Sequence, residues 1–383
     1  MKTLKALGAL ALAAGIALSG GSGSAEAKTD DGKWKIFLSM SYVGNEWQTE
    51  AANIVKAVAA SADYKDRVDL EVQVAGTDAQ KQIQQINAMV QAGADAIILF
   101  PISPTALNST IRNACRRGVK VFAYIGEVTE KCAYNLVIDE KGAGSIPAQW
   151  MADQLGGKGN IVMVMGVPGT SVDQKRNEGA LEVFEKYPEI NVIAKVVGMW
   201  SQATARSELT KLTATTPWSD IDGIWTQTGC YAAGSLQDEA GIPDDQKRPC
   251  SGEASNGDRI QMLKKGAPVE GATGTYRPMG YPGFTYAAPL YYGGLQLTRA
   301  VALLEGGPEP EHMDVQPLPY FVNDATHEGI KLCLEGTWEE MNTTGCNAFQ
   351  PALITNPAWF SALYSKDLPM IGVKAALDGT PEY

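Results

Sequence analysis

The stretch "MGVPGTSVDQKRNEG", residues 165–179, follows a buried-looking β run with a glycine turn and then offers two cations, Lys175 and Arg176. Ser171 with Gln174 three residues on has the form of a capping box, which predicts a helix beginning there and puts Arg176 in its second turn. A guanidinium presents a fixed fork of donors that suits vicinal hydroxyls or a ring oxygen. The alternative is a surface pair with Asp173 or Glu178, worth about 0.3–0.5 kcal/mol. If Arg176 meets a ligand, Arg176→Ala is expected to cost on the order of 2–5 kcal/mol of binding and to leave unliganded melting almost unmoved. Two tryptophans invite the same question. Trp47 sits in the polar stretch "SYVGNEWQTE" and Trp200 in "VGMWSQ", directly after a β run. Aromatic faces in a cleft can sandwich a sugar ring, whose axial C–H bonds are apolar while its hydroxyls leave at the edge. Packing is the competing role for both, and the better one for Trp225 inside "IDGIWTQ".

Other chemistries lack their residues. There are two histidines, His312 and His327, and neither G-x-S-x-G nor H-E-x-x-H occurs. A carboxylate-only hydrolase stays open, because Asp and Glu are plentiful. The turn at 166–169 lacks the Gly-Lys-Ser/Thr ending of a phosphate loop, and no G-x-G-x-x-G is present. No C-x-x-C pair suggests zinc, and no cofactor is expected.

The elements that must position these residues alternate. "KWKIFLSM", "VDLEVQV", "ADAIILFP" and "VKVFAYIG" read as strands, separated by amphipathic stretches such as "EWQTEAANIVKAVAASA" and "DAQKQIQQINAMVQAG". The pattern restarts with "GAGSIPAQWMADQLGG", "NIVMVMG", "SVDQKRNEGALEVFEKYP", "INVIAKVVG", "TARSELTKLTAT" and "DIDGIWTQ". Repeated βαβ units predict parallel sheets in an α/β protein of two similar lobes, with ligands at the carboxyl ends of the strands. The stretch "GFTYAAPLYYGGLQLTRAVALLEGG" reads as one long helix returning to the first lobe, and "DVQPLPYFV" as a strand that re-crosses near Gln316–Pro319. The expected lobes are 33–138 plus about 279–318, and 139–278 plus about 319–383 with a cysteine-bearing tail. Multiple crossings would make a hinge.

Residues 1–27 stand apart. Lys2 and Lys5, an apolar run from Ala6 to Leu18 and the ending Ala25-Glu26-Ala27 fit a secretory leader cleaved after Ala27. The apolar run is shorter than the about 20 residues a bilayer span needs, so a free extracytoplasmic protein without membrane insertion is expected. Removing Lys2, Lys5 and Glu26 takes away a net +1, so the formal charge of −11 becomes −12. That balance disfavours nucleic acid as a partner. Six cysteines in an exported chain read as disulfides. They fall into three local couples, Cys115–Cys132, Cys230–Cys250 and Cys333–Cys346, and short loops close at low entropic cost.

"SMSYVGNEW", "GVPGTSVDQKRNEG" and "VIAKVVGMW" give the chain a specific likeness. Up to about Val322 it resembles the periplasmic sugar-binding proteins of ABC importers, the type I class that includes the ribose-binding protein. The resemblance implies two Rossmann-like (flavodoxin-like) lobes, joined by a multi-strand hinge, closing as a monomer on a monosaccharide. It implies a hydroxyl contact from Asn45, stacking by Trp47 and Trp200, and a hydroxyl or ring-oxygen contact from Arg176; Gln48, beside Trp47, is a further candidate ligand residue. Elsewhere the chain departs from the pattern. "YIGEV" leaves Glu127 where the ribose binders carry Asp-Arg, and Thr228-Gly229 stands where they carry Asn-Asp. Glu253 and Arg277 lie near two further family positions. Another pentose, a hexose, a furanose or a polyol fits the surviving half-site.

The leading expectation is therefore a solute receptor that delivers a sugar or polyol to ABC permease subunits without chemical change. A receptor for a furanosyl signal feeding a chemoreceptor or sensor kinase is the alternative, and an exported carbohydrate hydrolase the enzymatic one. A repressor of this fold would need a DNA-reading module where this chain carries its leader.

Overall fold

The computed structural model describes residues 31–269, 271–316, 320–322, 358–360, 365 and 367–382. The expected leader, His327, Cys333 and Cys346 lie outside the described residues. The strands are β1 (Trp34–Met40), β2 (Val68–Val74), β3 (Ala96–Phe100), β4 (Lys120–Tyr124), β5 (Tyr134–Ile138) and β6 (Lys158–Met165). They continue as β7 (Glu189–Val197), β8 (Gly223–Thr228), β9 (Cys250–Glu253), β10 (Gly283–Tyr286), β11 (Met313–Gln316) and β12 (Tyr320–Val322). The helices are α1 (Glu46–Ala60), α2 (Ala79–Gln91), α3 (Asn108–Arg116), α4 (Glu140–Gln154) and α5 (Ser171–Phe184). Then follow α6 (Gln202–Thr213), α7 (Cys230–Glu239), α8 (Asn256–Met262), α9 (Tyr292–Leu304) and α10 (Val373–Asp378).

Among the described residues the strands form two six-stranded sheets, ordered β11-β5-β4-β3-β1-β2 and β12-β10-β9-β8-β6-β7. Every pairing is parallel except that of β12 with β10. The α/β, two-lobed architecture read from the alternation is the one found. Parallel strands covered by helices on both faces are apolar on both, and the period of two sorts each strand's side chains between layers. Thus Ile36, Leu38 and Met40 join α1 and α9 in one core, while Phe37 joins Ile97, Leu99 and the residues of α2 and α3 in another. In the second lobe Val162 and Val164 face α6 and α7, and Ile161 and Met163 face α4 and α5.

The chain passes between sheets after Ile138, after Tyr286 and after Gln316. The second passage differs from the sequence expectation. Residues 283–307 do not form one helix: Gly283–Tyr286 pairs in parallel with Cys250–Glu253, and α9 starts only at Tyr292. Pro289 lies between, where its missing N–H and its effect on the preceding residue oppose a continuous helix. Residues 279–286 accordingly belong with the second lobe. The described tail residues 367–382 likewise sit with the first lobe, where Leu368, Ile371, Ala375 and Ala376 enter the core around α1. Cys115–Cys132 and Cys230–Cys250 are bonded as their local spacing suggests.

Candidate functional site

Between the lobes lies a cavity with about 310 Å³ of atom-free space, mouth included. Its lining comes from the carboxyl ends of strands, where turns leave the sheets: Phe100 ends β3, Thr228 ends β8, Glu253 ends β9, and Ile125, Trp200 and Ala288 follow closely on β4, β7 and β10. The lobes touch around it. Glu127 N–H donates to Ser171 Oγ at 3.0 Å, and Lys175 Nζ pairs with Glu127 Oε2 at 2.6 Å.

The first lobe supplies Asn45, Trp47 and Gln48. Asn45 is the N-cap of α1, its Oδ1 accepting the Gln48 N–H at 3.0 Å. That bond fixes the amide and leaves Nδ2 buried with no partner among the described residues; Gln48 Oε1 is in the same position. Trp47 is held by its own indole N–H, which donates to the Ala288 carbonyl at 3.3 Å, and by Phe100, whose ring lies 5.9 Å away.

The second lobe supplies Arg176, Trp200, Thr228 and Glu253. The cap of α5 is Thr170, whose side chain accepts the Asp173 N–H, so the Ser171–Gln174 capping box does not form. Ser171 reaches across to the other lobe instead. The close seat of α5 against α4 depends on Gly144, where an added Cβ would fall 1.9 Å from the Arg176 carbonyl oxygen. Arg176, 2% exposed, pairs with neither Asp173 nor Glu178. Its Nε donates to Glu140 Oε2 at 2.6 Å, its Nη1 to Glu253 Oε2 at 2.8 Å, and the guanidinium lies 5.3 Å from the Tyr286 ring centroid. Burial pushes the Glu140 carboxyl up to about 7 against the pull of Arg176. Burial also opposes the Arg176 charge, but Glu140, Tyr286 and Glu253 outweigh it and hold the guanidinium protonated.

Trp200 is set by backbone strain and by a hydrogen-bond chain. Its Nε1 donates to Gln227 Oε1 at 2.7 Å, and Gln227 Nε2 donates to Asp173 Oδ1 at 2.8 Å. Met199 and Trp200 have φ of 56° and 53°, and Ile125 on the opposite wall has 58°. Non-glycine residues rarely adopt this region, least of all a β-branched one, and such strain gathers at ligand sites. Gly166 is what lets the indole lie so close, since a Cβ there would fall 2.0 Å from Trp200 Nε1.

Asn45, Trp47, Gln48, Arg176, Trp200, Thr228 and Glu253 thus share one cavity. Glu127 is not among the lining residues: it joins the lobes nearby, its backbone N–H on Ser171 Oγ and its carboxylate paired with Lys175. Arg277 is elsewhere: it pairs with Asp238 at 2.7 Å and Asp244 at 3.1 Å, beside Lys247. The reason is topological, because Arg277 precedes β10 and so lies toward the amino edge of the sheet. Trp225 packs in the core, its N–H on the Gly144 carbonyl at 3.1 Å. Phe100, Ile125, Ala288 and the Arg176 partner Glu140 were missed, although each sits at or within two residues of a strand's carboxyl end. Phe360, which also lines the cavity, carries no such signal.

Two parallel-sheet lobes, between which the chain passes repeatedly and which meet over a cavity at their carboxyl edges, define a two-lobed binding protein. The chain belongs to the periplasmic binding protein family: residues 36–290 match the family's model, described as a periplasmic binding protein domain. It is 32% identical over 173 residues to a xylitol-binding protein of Mycolicibacterium smegmatis, covering 45% of this chain and 49% of that protein. It is 24% identical over 164 residues to a ribose import binding protein of Bacillus subtilis, covering 43% and 52%. The matches thus span about half the length of these relatives. Among solved structures, an ABC transporter solute binding protein from Thermobispora bispora superposes with a TM-score of 0.68 at 24% identity, over 91% of this chain and 97% of that one. A galactofuranose binding protein superposes with 0.66 at 16% identity, over 76% and 95%. At these identities the superpositions speak for the fold. No helix among the described residues is long and apolar enough to cross a membrane.

Proposed function

We propose that the chain is an exported receptor that captures a neutral monosaccharide or polyol between its lobes and hands it to the permease of an ABC importer, with the leader removed after Ala27. The observation that carries this is that Asn45 Nδ2 and Gln48 Oε1, both buried and without a partner among the described residues, belong to residues lining a cavity that Trp47 and Trp200 also line, one from each lobe. A donor, an acceptor and apolar faces are the groups a polyhydroxylated ligand satisfies at once, and buried polar atoms left unpaired are costly. Relatives named for xylitol and ribose, and a neighbour for galactofuranose, support this class of ligand.

Both lobes line the cavity, so a ligand gains its full set of contacts only when the lobes meet; its differential affinity is what drives closure. Arg176 is already neutralised by two carboxylates, which favours an uncharged ligand over an anionic one. The test is a thermal-shift screen of pentoses, hexoses, furanose-forming sugars and polyols. A true ligand at about 100 times its Kd stabilises by roughly 2.7 kcal/mol. A shift with amino acids or nucleosides and none with carbohydrates or polyols would overturn the reading.

A further inference from the structure

One wall of the cavity comes from neither sheet's strand-to-helix turns. Phe360 lines it and is 4% exposed, although it belongs to the chain downstream of β12. Two backbone bonds fix its segment. The Phe360 N–H donates to Glu50 Oε1 at 2.9 Å, and the Trp359 carbonyl accepts the Asn256 N–H at 2.6 Å. Glu50 is on α1 of the first lobe and Asn256 opens α8 of the second, so neighbouring residues of one segment are held by opposite lobes. Further on, Asn53 Nδ2 donates to the carbonyls of Ala376 and Leu377 at 2.9 and 3.1 Å, beside the apolar contacts of Leu368 and Ile371. The segment's anchor is therefore the first lobe, and the Asn256 bond is the contact that opening must break.

The geometry points to Phe360 as a specificity-determining residue: a wall brought in by the downstream chain, latched across both lobes, that closes the cavity over one ring or a short polyol and excludes a second ring. The inference rests on the sugar reading above and adds a size limit and its source. The cavity is narrow between its two indoles, and Phe360 is among the side chains that bound it. An edge formed by a rigid aromatic side chain is a steric boundary that a hydroxyl cannot hydrogen-bond past. Glu50 is the positioning residue. It is fully buried, its Oε2 has no partner among the described residues, and burial raises its carboxyl well above the ordinary range. A neutral side chain of the same shape should therefore serve as well, so long as it keeps the oxygen that accepts from Phe360.

The experiment is calorimetric titration of wild type, Phe360→Ala, Glu50→Ala and Glu50→Gln with xylitol, D-ribose and D-galactose, and with the disaccharides xylobiose and melibiose. The readout is the ratio of disaccharide Kd to the best single-unit Kd. The expected result is a wild-type ratio that falls at least tenfold in Phe360→Ala and in Glu50→Ala and returns to within threefold of wild type in Glu50→Gln. A ratio within threefold of wild type in Phe360→Ala overturns the size limit, whatever happens to the absolute affinities. If wild type binds none of the five probes, the latch is judged without ligand by small-angle scattering, and the functional reading by the broader thermal-shift screen above. Glu50→Ala should enlarge the radius of gyration while Glu50→Gln matches wild type; three equal values overturn the latch.

Discussion

Where the first lobe faces the cavity it offers neutral amides whose outer atoms, Asn45 Nδ2 and Gln48 Oε1, meet no partner among the described residues. Where the second lobe faces it, the principal polar groups already hold one another, with Arg176 between Glu140 and Glu253. The first wall is completed by what enters; the second is largely complete beforehand. Changes to the first should therefore be read in binding, and changes to the second in folding as well.

The largest effect should follow from Arg176→Ala. It strands two buried carboxylates, and breaking a buried ion pair costs about 3–5 kcal/mol. Urea unfolding of the unliganded variant should register a loss of that order. This revises the sequence-based expectation of unmoved melting, which assumed an arginine paired with ligand alone. Stability within about 0.5 kcal/mol of wild type would erase the contrast between the walls.

Asn45→Asp sharpens the comparison from the other side. The cap oxygen for α1 is retained while the donor is lost, so unliganded melting should change little and binding of the identified sugar or polyol should weaken by about 1–3 kcal/mol in calorimetry. A change in melting without one in affinity would make the first wall structural.

The paired wall also predicts a pH dependence. The Glu140 carboxyl, raised to about 7 in the folded state, binds its proton more tightly than in the unfolded chain. Its contribution is complete below the ordinary carboxylate range and is lost as pH rises toward and through 7. Between pH 8 and pH 6 the unliganded protein should gain about 1 kcal/mol from Glu140. Asp258, raised to about 6 by burial, acts in the same direction at the lower end. Melting curves of Glu140→Gln should show a flatter pH profile over that window; an identical slope would mean that Glu140 does not titrate there.

Least should come of Lys175→Ala. The Lys175–Glu127 pair joins the lobes, but the lysine is 40% exposed. Such pairs contribute about 0–1 kcal/mol, and affinity should stay within about threefold by titration.

The fold was legible because strand periodicity and helix spacing are local, and each βαβ unit announces itself. The strand-end rule reached much of the site, since Asn45, Trp47, Trp200, Thr228 and Glu253 all lie shortly after or at the end of a β run. It did not reach partnership. Nothing local says that Glu140, at the start of α4, meets an arginine 36 residues away, or that Ser171 caps nothing and spans the cleft. Gly283–Tyr286 was drawn into the following helix because a four-residue strand has too little pattern to compete with a long apolar run. Phe360 is the extreme case, its place set by a bond to a residue 310 positions earlier.

That reach has a consequence for how the protein comes into being. The first lobe opens the described chain with β1 and α1, yet Asn53 of α1 bonds carbonyls 323 and 324 residues downstream, and α9 and β11 arrive only after most of the second lobe. The lobe begun first is finished last. A chain synthesised in order exposes the apolar side of α1 until the residues that cover it have followed, so this lobe can complete its core only after most of the second lobe has been made, and its partly covered state is open in the meantime to chaperones and proteases.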